Sequence, residues 1–270
     1  MTTTDRPEAV ELLRIAIVAA RSGAKTARAM RGEGVAGVST KSSRTDVVTA
    51  ADRAVERLVV AQLLQARPDD TVLGEEYGST GAPGRIRWLL DPIDGTVNYL
   101  YGLAPYAVSL AAEVAGQVVC GVVHEVTTGT EWTATCGGGA YRGGHRLTGS
   151  DERDLAQALV ATGFGYGSDR RAHQARVLAG LLPRVRDIRR FGSAAVDLCL
   201  AADGGVDAYY EKGLNPWDYA AGGLVASEAG LLVTGLAGAP PGPDLVLAAP
   251  PALHGALHDQ LVALDAAGGP

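Results

Sequence analysis

Two aspartates at the end of an apolar segment are the residues best suited to chemistry. Asp91 and Asp94 follow residues 88–90, and Pro92 lies between them. A proline fixes its own φ and pushes the preceding residue toward an extended backbone, so both carboxylates can turn to the same side. Two close carboxylates repel each other unless a cation lies between them or one stays protonated. Because hard divalent ions such as Mg²⁺ prefer oxygen ligands, the pair predicts a cation site.

The next two residues, Gly95 and Thr96, could bind an anion. The glycine permits a tight turn, and outward-facing N–H groups in such a turn suit a phosphate oxygen. The plain alternative is a strand that ends in an Asp-Gly turn, which is among the commonest turn sequences. Asp94 alone favours that alternative, whereas the whole segment of residues 88–96 favours a binding site.

Further acids occupy comparable positions elsewhere in the chain. Glu75 follows a short apolar segment, and Asp218 follows an aromatic residue at the start of a predicted helix. Asp46 and Asp52 flank another helix start, whose candidate N-cap is Thr49. Each acid taken alone is better explained as a loop or helix-terminus residue. Taken together, the acids indicate a set of oxygen ligands.

The composition is that of an ordinary globular protein. The chain has 270 residues, of which 47% are hydrophobic and 20% charged, with a net charge of −6. An acidic chain lacks a basic surface for a phosphate backbone, so we expect no nucleic-acid partner. No segment reaches the roughly 18 apolar residues of a membrane span, and no signal peptide is evident. Three widely spaced cysteines suit reduced thiols. We therefore expect a cytoplasmic protein without a membrane partner.

Hydrophobic periodicity predicts helices alternating with strands. Helices are predicted over residues 7–31, 49–66, 170–182, 193–202, 217–229 and 251–264. Strands are predicted over residues 71–73, 87–90, 107–114, 117–126, 131–134, 140–142, 159–161, 187–189 and 245–248. The length fits one catalytic unit of two packed lobes, residues 1–148 and 149–270. Residues 32–37 match G-x-G-x-x-G, but they follow a helix and predict a loop rather than a dinucleotide site.

Two long motifs in this sequence resemble the signatures of the inositol monophosphatase family of Mg²⁺-dependent, typically lithium-sensitive phosphatases. Residues 88–96 read W-L-L-D-P-I-D-G-T, and residues 217–222 read W-D-Y-A-A-G with E-A-G at 228–230. Blocks that match in the same order stand at residues 41–52, 74–76, 192–195 and 207–211. The resemblance covers nearly the whole chain. It implies an α/β (α+β) fold, a layered α-β-α-β-α sandwich of the inositol monophosphatase and fructose-1,6-bisphosphatase type.

The resemblance also implies a role for each matching residue, with two to three Mg²⁺ ions in the active site. One ion would be held by Glu75, Asp91 and the backbone carbonyl of Ile93, and a third, weaker ion would use Glu75 and water. A second ion would be held by Asp91, Asp94 and Asp218. The attacking water would be oriented and deprotonated with the help of Thr96, Asp52 and Glu75. The substrate would contact Asp94, Gly95, Thr96, Val97, Gly192, Ser193, Ala194, Glu211 and Asp218.

The predicted function is hydrolysis of a small-molecule phosphate monoester, a polyol phosphate, with inositol 1-phosphate as the first choice. Monoester hydrolysis needs neutralised phosphoryl charge, an aligned water and a stabilised leaving alkoxide, which two close metal ions can supply. Histidinol phosphate and fructose 1,6-bisphosphate are alternative substrates, because residues 215–216 are Asn-Pro where many inositol phosphatases have His-Cys. A non-catalytic regulatory or binding protein is the alternative of another class, although no ligand acid is missing. The family commonly forms homodimers, and we expect a homodimer here.

Overall fold

The computed structural model describes residues 6–41 and 47–270, in which helices and strands alternate in layers. The helices are α1 (Arg6–Glu33), α2 (Ala50–Ala66), α3 (Thr96–Tyr101), α4 (Ser168–Leu181), α5 (Ala194–Ala202), α6 (Pro216–Glu228) and α7 (Pro251–Ala263). The first ten strands are β1 (Ser39–Thr40), β2 (Val47–Val48), β3 (Thr71–Gly74), β4 (Gly78–Gly81), β5 (Ile86–Asp94), β6 (Ala107–Val114), β7 (Gln117–Glu125), β8 (Glu131–Thr135), β9 (Gly139–Arg142) and β10 (His145–Arg146). The remaining strands are β11 (Leu159–Thr162), β12 (Asp187–Arg189), β13 (Ala208–Glu211), β14 (Leu232–Thr234) and β15 (Val246–Ala249).

The larger sheet has eight strands in the order β10-β9-β8-β7-β6-β5-β3-β4. Strands β3 and β5 pair in parallel, with Gly74 beside Leu90, and the other neighbours pair antiparallel. The Glu75 N–H continues this pairing and donates to the Leu90 carbonyl at 3.2 Å. The parallel register therefore brings Glu75 beside Asp91, although 16 positions separate them in the sequence.

The smaller sheet has five strands in the order β12-β11-β13-β15-β14. Strand β11 pairs in parallel with both β12 and β13, whereas β15 pairs antiparallel with β13 and β14. The parallel pairing brings the C-terminal ends of β11 and β13 to the same edge. Glu211 ends β13 at that edge.

Alternating burial along the strands shows how the layers stack. On β5, Trp88 and Leu90 belong to the core formed with α1 and α2, whereas Leu89 belongs to the core formed with α5 and α6. On β13, Tyr209 contacts the α5–α6 core, and Tyr210 faces the core formed with α4 and α7. The order of layers is thus helices, eight-stranded sheet, helices, five-stranded sheet, helices. The predicted α-β-α-β-α sandwich is confirmed.

The predicted helices and strands are present, with ends that differ by a few residues. Strand β5 was predicted to end at residue 90 but continues to Asp94, because pairing with β6 resumes at Asp94 after an irregularity that begins at Asp91. The polar residues 78–81, for which no strand was predicted, form β4 and pair with β3. The elements α3, β1, β2, β10, β13 and β14 were likewise not predicted. Asp46 lies outside the described residues.

The G-x-G-x-x-G segment begins in the last residues of helix α1, and residues 34–37 form the predicted loop after it, with no strand before the segment. The predicted lobe boundary between residues 148 and 149 falls between β10 and β11, the last strand of one sheet and the first of the other. The division into two lobes stays a prediction. Among the residues that the structure describes, no helix is both long and apolar enough to cross a membrane.

Candidate active site

The predicted acids meet at one cavity of about 1010 Å³. The predicted site residues on its walls are Glu75, Asp91, Ile93, Asp94, Gly95, Thr96, Gly192, Ala194, Glu211 and Asp218. They come from the ends of β3, β5 and β13 and from the starts of α3, α5 and α6. Three predicted residues are not among the lining residues of this cavity. Asp52 lies behind Thr96, Ser193 supports Asp94, and Val97 lines a smaller neighbouring cavity.

Asp94 is held by the start of helix α5. Its Oδ2 accepts hydrogen bonds from the Ser193 hydroxyl at 2.6 Å and the Ala195 N–H at 2.8 Å, and its Oδ1 accepts from the Ala194 N–H at 3.3 Å. Burial nevertheless raises the pKa of Asp94 to about 6, although these hydrogen bonds and the charge of Arg190 oppose the shift. The structure therefore places Ser193, which is 1% exposed, as a support for Asp94.

Asp91 lies at the centre of the charge repulsion in the site, because Glu75, Asp94 and Asp218 all act on it. Its Oδ1 accepts a hydrogen bond from the Ile93 N–H at 3.0 Å. Burial raises the pKa of Asp91 well above its usual range, and repulsion from Glu75, Asp94 and Asp218 raises it further. The Glu75 and Asp91 carboxylates are close enough to repel each other when both are charged, so a shared proton or a cation between them would relieve the repulsion.

Asp218 stands at the third helical position of α6. The Asn215 N–H donates to its Oδ2 at 2.7 Å, which closes a capping box at this helix start. The Ser109 hydroxyl of β6 donates to the Trp217 carbonyl at 3.1 Å and ties the helix start to the larger sheet. Burial raises the pKa of Asp218 well above its usual range, followed by repulsion from Glu75 and Asp94.

Glu75 is paired with a lysine that the sequence analysis did not single out. The Lys41 Nζ lies 2.8 Å from Glu75 Oε1 and 2.5 Å from Glu76 Oε1. Burial lowers the pKa of Lys41, but attraction to these two acids outweighs it and the net shift is upward. Burial raises the pKa of Glu75. An ammonium group thus stands at one of the predicted metal-ligand carboxylates.

Thr96 and Asp52 form a buried donor–acceptor pair beside the acids. The Thr96 hydroxyl lies 2.9 Å from Asp52 Oδ1 and 3.0 Å from the Ile93 carbonyl, and it can donate to either. Burial raises the pKa of Asp52, and its hydrogen bonds with Thr49 and Thr96 oppose the rise. Gly95 has φ +92°, in the left-handed region that favours glycine. A carboxylate is therefore available to accept the proton of the Thr96 hydroxyl.

Glu211 faces the acids from the smaller sheet. The Tyr209 hydroxyl donates to its Oε2 at 2.8 Å. Burial raises the pKa of Glu211 to about 7, and the attraction of Arg190 opposes this rise. Asp197 of α5 lies near this group and is fully buried, and none of the residues that the structure describes donates a hydrogen bond to either of its carboxylate oxygens.

Four residues of this neighbourhood were missed by the sequence analysis: Lys41, Glu56, Arg190 and Asp197. Lys41 begins the motif block at residues 41–52, and Arg190 precedes the block at residues 192–195, so the motifs gave a signal for both. Glu56 also follows Asp52 by one helical turn. Asp197 stands within an apolar helix and gave no signal.

The oxygen donors of the site are of the type that binds a hard cation, although their side chains are not arranged in a complete coordination shell. Over residues 6–41 and 47–270, no group of three or more His, Cys, Asp or Glu side chains is arranged to hold a metal ion. The physical reason is that Glu75 is paired with Lys41, while Asp94 and Asp218 are bound by hydrogen-bond donors at helix starts. The oxygen donors are of the type that Mg²⁺ prefers, and they raise one another's pKa. The assignment of individual metal ligands stays a prediction.

Comparisons with known proteins agree on one family. The family model described as "Inositol monophosphatase family" matches residues 8–266. The inositol-1-monophosphatase SuhB of Mycobacterium tuberculosis is 49% identical over 248 residues, which cover 87% of this chain and 83% of that protein. The Nus factor SuhB of Escherichia coli is 37% identical over 230 residues, which cover 84% of this chain and 86% of that protein.

Solved structures share the fold over nearly the whole chain. The structure of Mycobacterium tuberculosis SuhB has a TM-score of 0.82 and 39% identity, and the match covers 96% of this chain and 98% of that one. The Thermotoga maritima IMPase TM1415 has a TM-score of 0.87 and 28% identity, with coverage of 96% and 100%.

Proposed function

The chain belongs to the inositol monophosphatase family, and from that premise we propose that it is a Mg²⁺-dependent phosphatase of small polyol phosphates, with inositol 1-phosphate as its substrate. One observation carries the proposal beyond family membership. Glu75, Asp91, Asp94 and Asp218 line one cavity, although they come from three different places in the sequence. The Thr96–Asp52 pair lies beside them. A cavity of this size and chemistry suits a small, highly charged substrate.

Each residue has a part in the proposed hydrolysis. When bound, two to three Mg²⁺ ions would be held by Glu75, Asp91, Asp94, Asp218 and the Ile93 carbonyl and would neutralise charge on the phosphoryl oxygens. The Thr96 hydroxyl can orient the attacking water and pass a proton to Asp52 Oδ1, 2.9 Å away. Burial raises the pKa of Asp52 and so makes it a better proton acceptor.

The remaining contacts hold the substrate. The N–H groups of Gly95 and Thr96 would bind the phosphate. Glu211 faces the acids across the cavity and can accept a hydrogen bond from a ring hydroxyl of the polyol. The backbone of Gly192 and Ala194 would form the wall between these two ends.

Release of phosphate from inositol 1-phosphate, with and without Mg²⁺, tests the proposal. In Asp94→Asn, turnover should fall by about two orders of magnitude or more, because a charged oxygen ligand is lost. Asp259→Asn is the matched control, since Asp259 lies on α7 with a side chain that is 81% exposed. Unchanged turnover in Asp94→Asn would contradict the metal assignment. Inhibition by Li⁺ is expected in the same assay.

Fructose 1,6-bisphosphate is the second candidate substrate, and a smaller cavity favours it. This cavity of about 360 Å³ is lined by Val97, Tyr101, Arg171 and Arg190 among others, and Arg190 also lines the larger cavity. Guanidinium groups bind phosphate through paired hydrogen bonds, so these arginines could take the second phosphate. A panel of inositol 1-phosphate, fructose 1,6-bisphosphate and histidinol phosphate decides among the three by kcat/KM.

A non-catalytic role is the competing hypothesis of another class, because one relative is named a Nus factor. Calorimetric titration separates the two functions. The proposed enzyme binds Mg²⁺ at millimolar concentration, whereas no heat of binding in that range would favour the non-catalytic role.

We further propose that the enzyme works as a homodimer in the cytoplasm, without a nucleic-acid partner. Its net charge of −6 opposes binding to a phosphate backbone, and its three cysteines are free thiols. Sedimentation should give twice the mass of one chain. A mass equal to one chain would contradict the dimer.

A further inference from the structure

Helix α2 carries a second buried acid, Glu56, one turn after Asp52. Glu56 is 0% exposed. Its Oε2 accepts a hydrogen bond from the Glu76 N–H at 2.8 Å, and its Oε1 accepts from the Tyr77 N–H at 2.9 Å. Both donors belong to the turn that follows β3, directly after Glu75. The carboxylate therefore binds the backbone of the segment that presents Glu75 to the cavity.

The backbone before Glu75 is also shaped around this carboxylate. A Cβ at Gly74 would lie 2.2 Å from Glu56 Oε1, closer than any real contact, so only glycine lets the strand end approach the acid. On its other side, the Glu75 N–H donates to Leu90 of β5 at 3.2 Å. The backbone of Glu75 is thus fixed between helix α2 and strand β5.

Burying a charged carboxylate in order to hold a turn costs free energy of solvation. Burial raises the pKa of Glu56, the two backbone hydrogen bonds and Lys41 oppose the rise, and Glu76 adds to it. Ionised acceptors form stronger hydrogen bonds than neutral ones, so the ionised acid holds the turn more firmly than an amide would. This arrangement suits a turn whose position must be accurate as well as stable.

We propose that Glu56 is a positioning residue. It orients Glu75 toward Asp91 and thereby determines the affinity of the site for divalent cations. The inference rests on the proposed function, in which Glu75 is a metal ligand. Asp52 and Glu56 lie four residues apart on α2, on one face of the helix. Asp52 accepts a hydrogen bond from Thr96, whereas Glu56 holds the turn that presents Glu75.

Glu56→Gln tests the inference. The glutamine keeps the shape of the side chain, but its NH₂ group faces one of the two backbone N–H donors and the hydrogen bond there is lost. Groups that orient metal ligands typically change affinity by 10–100-fold when they are altered. We expect the Kd for Mn²⁺ alone, measured by calorimetry without substrate, to rise by about 10-fold or more. At saturating Mg²⁺, the KM for inositol 1-phosphate should stay unchanged and kcat should largely recover.

Glu125→Gln is the matched control. Glu125 is 3% exposed and accepts hydrogen bonds from the Thr127 and Thr128 N–H groups at 2.8 and 2.6 Å, in the turn between β7 and β8. It holds a turn as Glu56 does, but neither Glu125 nor its two donors line the cavity or adjoin a predicted metal ligand in the sequence. Both variants should lose thermal stability, and only Glu56→Gln should lose metal affinity. An unchanged Kd for Mn²⁺ in Glu56→Gln, or an equal loss in Glu125→Gln, would overturn the inference.

Two further measurements keep the test decisive if Glu56→Gln does not fold. The side chain in Glu56→Asp keeps the charge but is one methylene shorter, so the carboxylate no longer reaches the turn. This variant should show the same rise in the Kd for Mn²⁺. In the metal-free wild-type protein, the amides of Glu76 and Tyr77 should be protected from hydrogen exchange, and rapid exchange of both would overturn the inference. Failure of the wild-type protein to bind Mn²⁺ or Mg²⁺ would instead overturn the proposed function, and the part assigned to Glu56 with it.

Discussion

At the scale of single residues, the Thr96 hydroxyl has one proton and two acceptors. Asp52 Oδ1 lies 2.9 Å away and the Ile93 carbonyl 3.0 Å away. Whichever acceptor the proton faces, the lone pairs of the hydroxyl remain available to a water in the cavity. The hydroxyl therefore connects the cavity to a carboxylate that is itself sealed from solvent, since Asp52 is 0% exposed.

Replacing this hydroxyl should affect turnover more than stability. Thr96→Val keeps the shape of the side chain but cannot relay a proton, so kcat should fall by about 10²–10⁴-fold, the range of acid–base catalysis. Thr96→Ser keeps the hydroxyl and should retain most of the activity. Phosphate release measures kcat, and thermal melting checks the fold. A Thr96→Val enzyme with wild-type kcat would exclude the relay.

The folded structure disfavours the ionised form of Asp197. Burial raises its pKa well above the usual range, Glu211 and Asp94 raise it further, and only the attraction of Arg190 acts in the other direction. The folded pKa lies above the unfolded value of 3.8, so this carboxyl lowers stability increasingly as pH rises above about 4. At neutral pH, a neutral side chain of the same shape would be better tolerated.

Asp197→Asn should therefore raise the melting temperature, by about a few degrees at pH 7.5 and by less at pH 4.5. Melting curves of the variant and the wild type at the two pH values measure the difference. Asp259→Asn, at an exposed position, should show no such pH-dependent gain. A lower melting temperature of Asp197→Asn at pH 7.5 would mean that the ionised acid has a stabilising partner in solution.

At the scale of elements, the start of helix α2 fixes Asp52. Thr49 is the N-cap, as the sequence predicted, and its hydroxyl accepts hydrogen bonds from the Ala51 and Asp52 N–H groups at 3.2 and 3.4 Å. In return, Asp52 Oδ2 accepts from the Thr49 N–H at 2.8 Å. This capping box turns one oxygen of Asp52 toward the helix start and leaves the other for Thr96.

Loss of the cap should thus reduce both stability and activity. Thr49→Ala should lower the free energy of unfolding by about 1 kcal/mol, the usual value for an N-cap. It should also lower kcat, because Asp52 is less firmly placed. Urea unfolding and phosphate release measure the two effects. Thr49→Ser keeps the hydroxyl and should retain both the stability and the kcat of the wild type. A Thr49→Ala enzyme with full kcat would show that the cap does not position Asp52.

How far the sequence predicted the elements depended on whether their signal was local. The N-cap and the helical periodicity lie within a few residues, and those predictions were confirmed. Strand β5 was predicted too short because Pro92 and two acids resemble the end of a strand, and only the pairing of Asp94 with Ala107 shows that it continues. Strand β4 contains glycine and polar residues and is a strand because β3 is beside it.

The site was predicted through motifs, and the partners of its acids were not. The predicted metal-ligand acids of the two long motifs, Asp91, Asp94 and Asp218, line the cavity, whereas Glu228 of the second motif accepts hydrogen bonds from the backbone of the turn before β9. Lys41 pairs with Glu75 across 34 positions, and Glu56 binds the N–H of Glu76 across 20 positions. Such pairings depend on how elements pack, which neither composition nor spacing reveals.

At the scale of the whole molecule, the two predicted lobes share one core. Leu89 and Ala107 of the larger sheet belong to the same hydrophobic cluster as Ala161 and Tyr209 of the smaller sheet, with α5 and α6 between them. The same two helices contribute Asp218 and the donors that hold Asp94. The cavity is therefore formed where the middle layer meets both sheets, and separating the sheets would dismantle it.

Divalent cations should stabilise this assembly because they balance the acids that meet in it. Burial and mutual repulsion raise the pKa of Asp91 and Asp218, so a bound cation removes an unfavourable charge from the folded state only. At a free Mg²⁺ concentration about tenfold above Kd, binding adds about 1.4 kcal/mol, or roughly 3–6 °C in melting temperature for a chain of this size. Melting curves with MgCl₂, with EDTA and with KCl at equal ionic strength measure this shift. Asp94→Asn should show a smaller one, and an equal shift with KCl would mean that Mg²⁺ acts by screening alone.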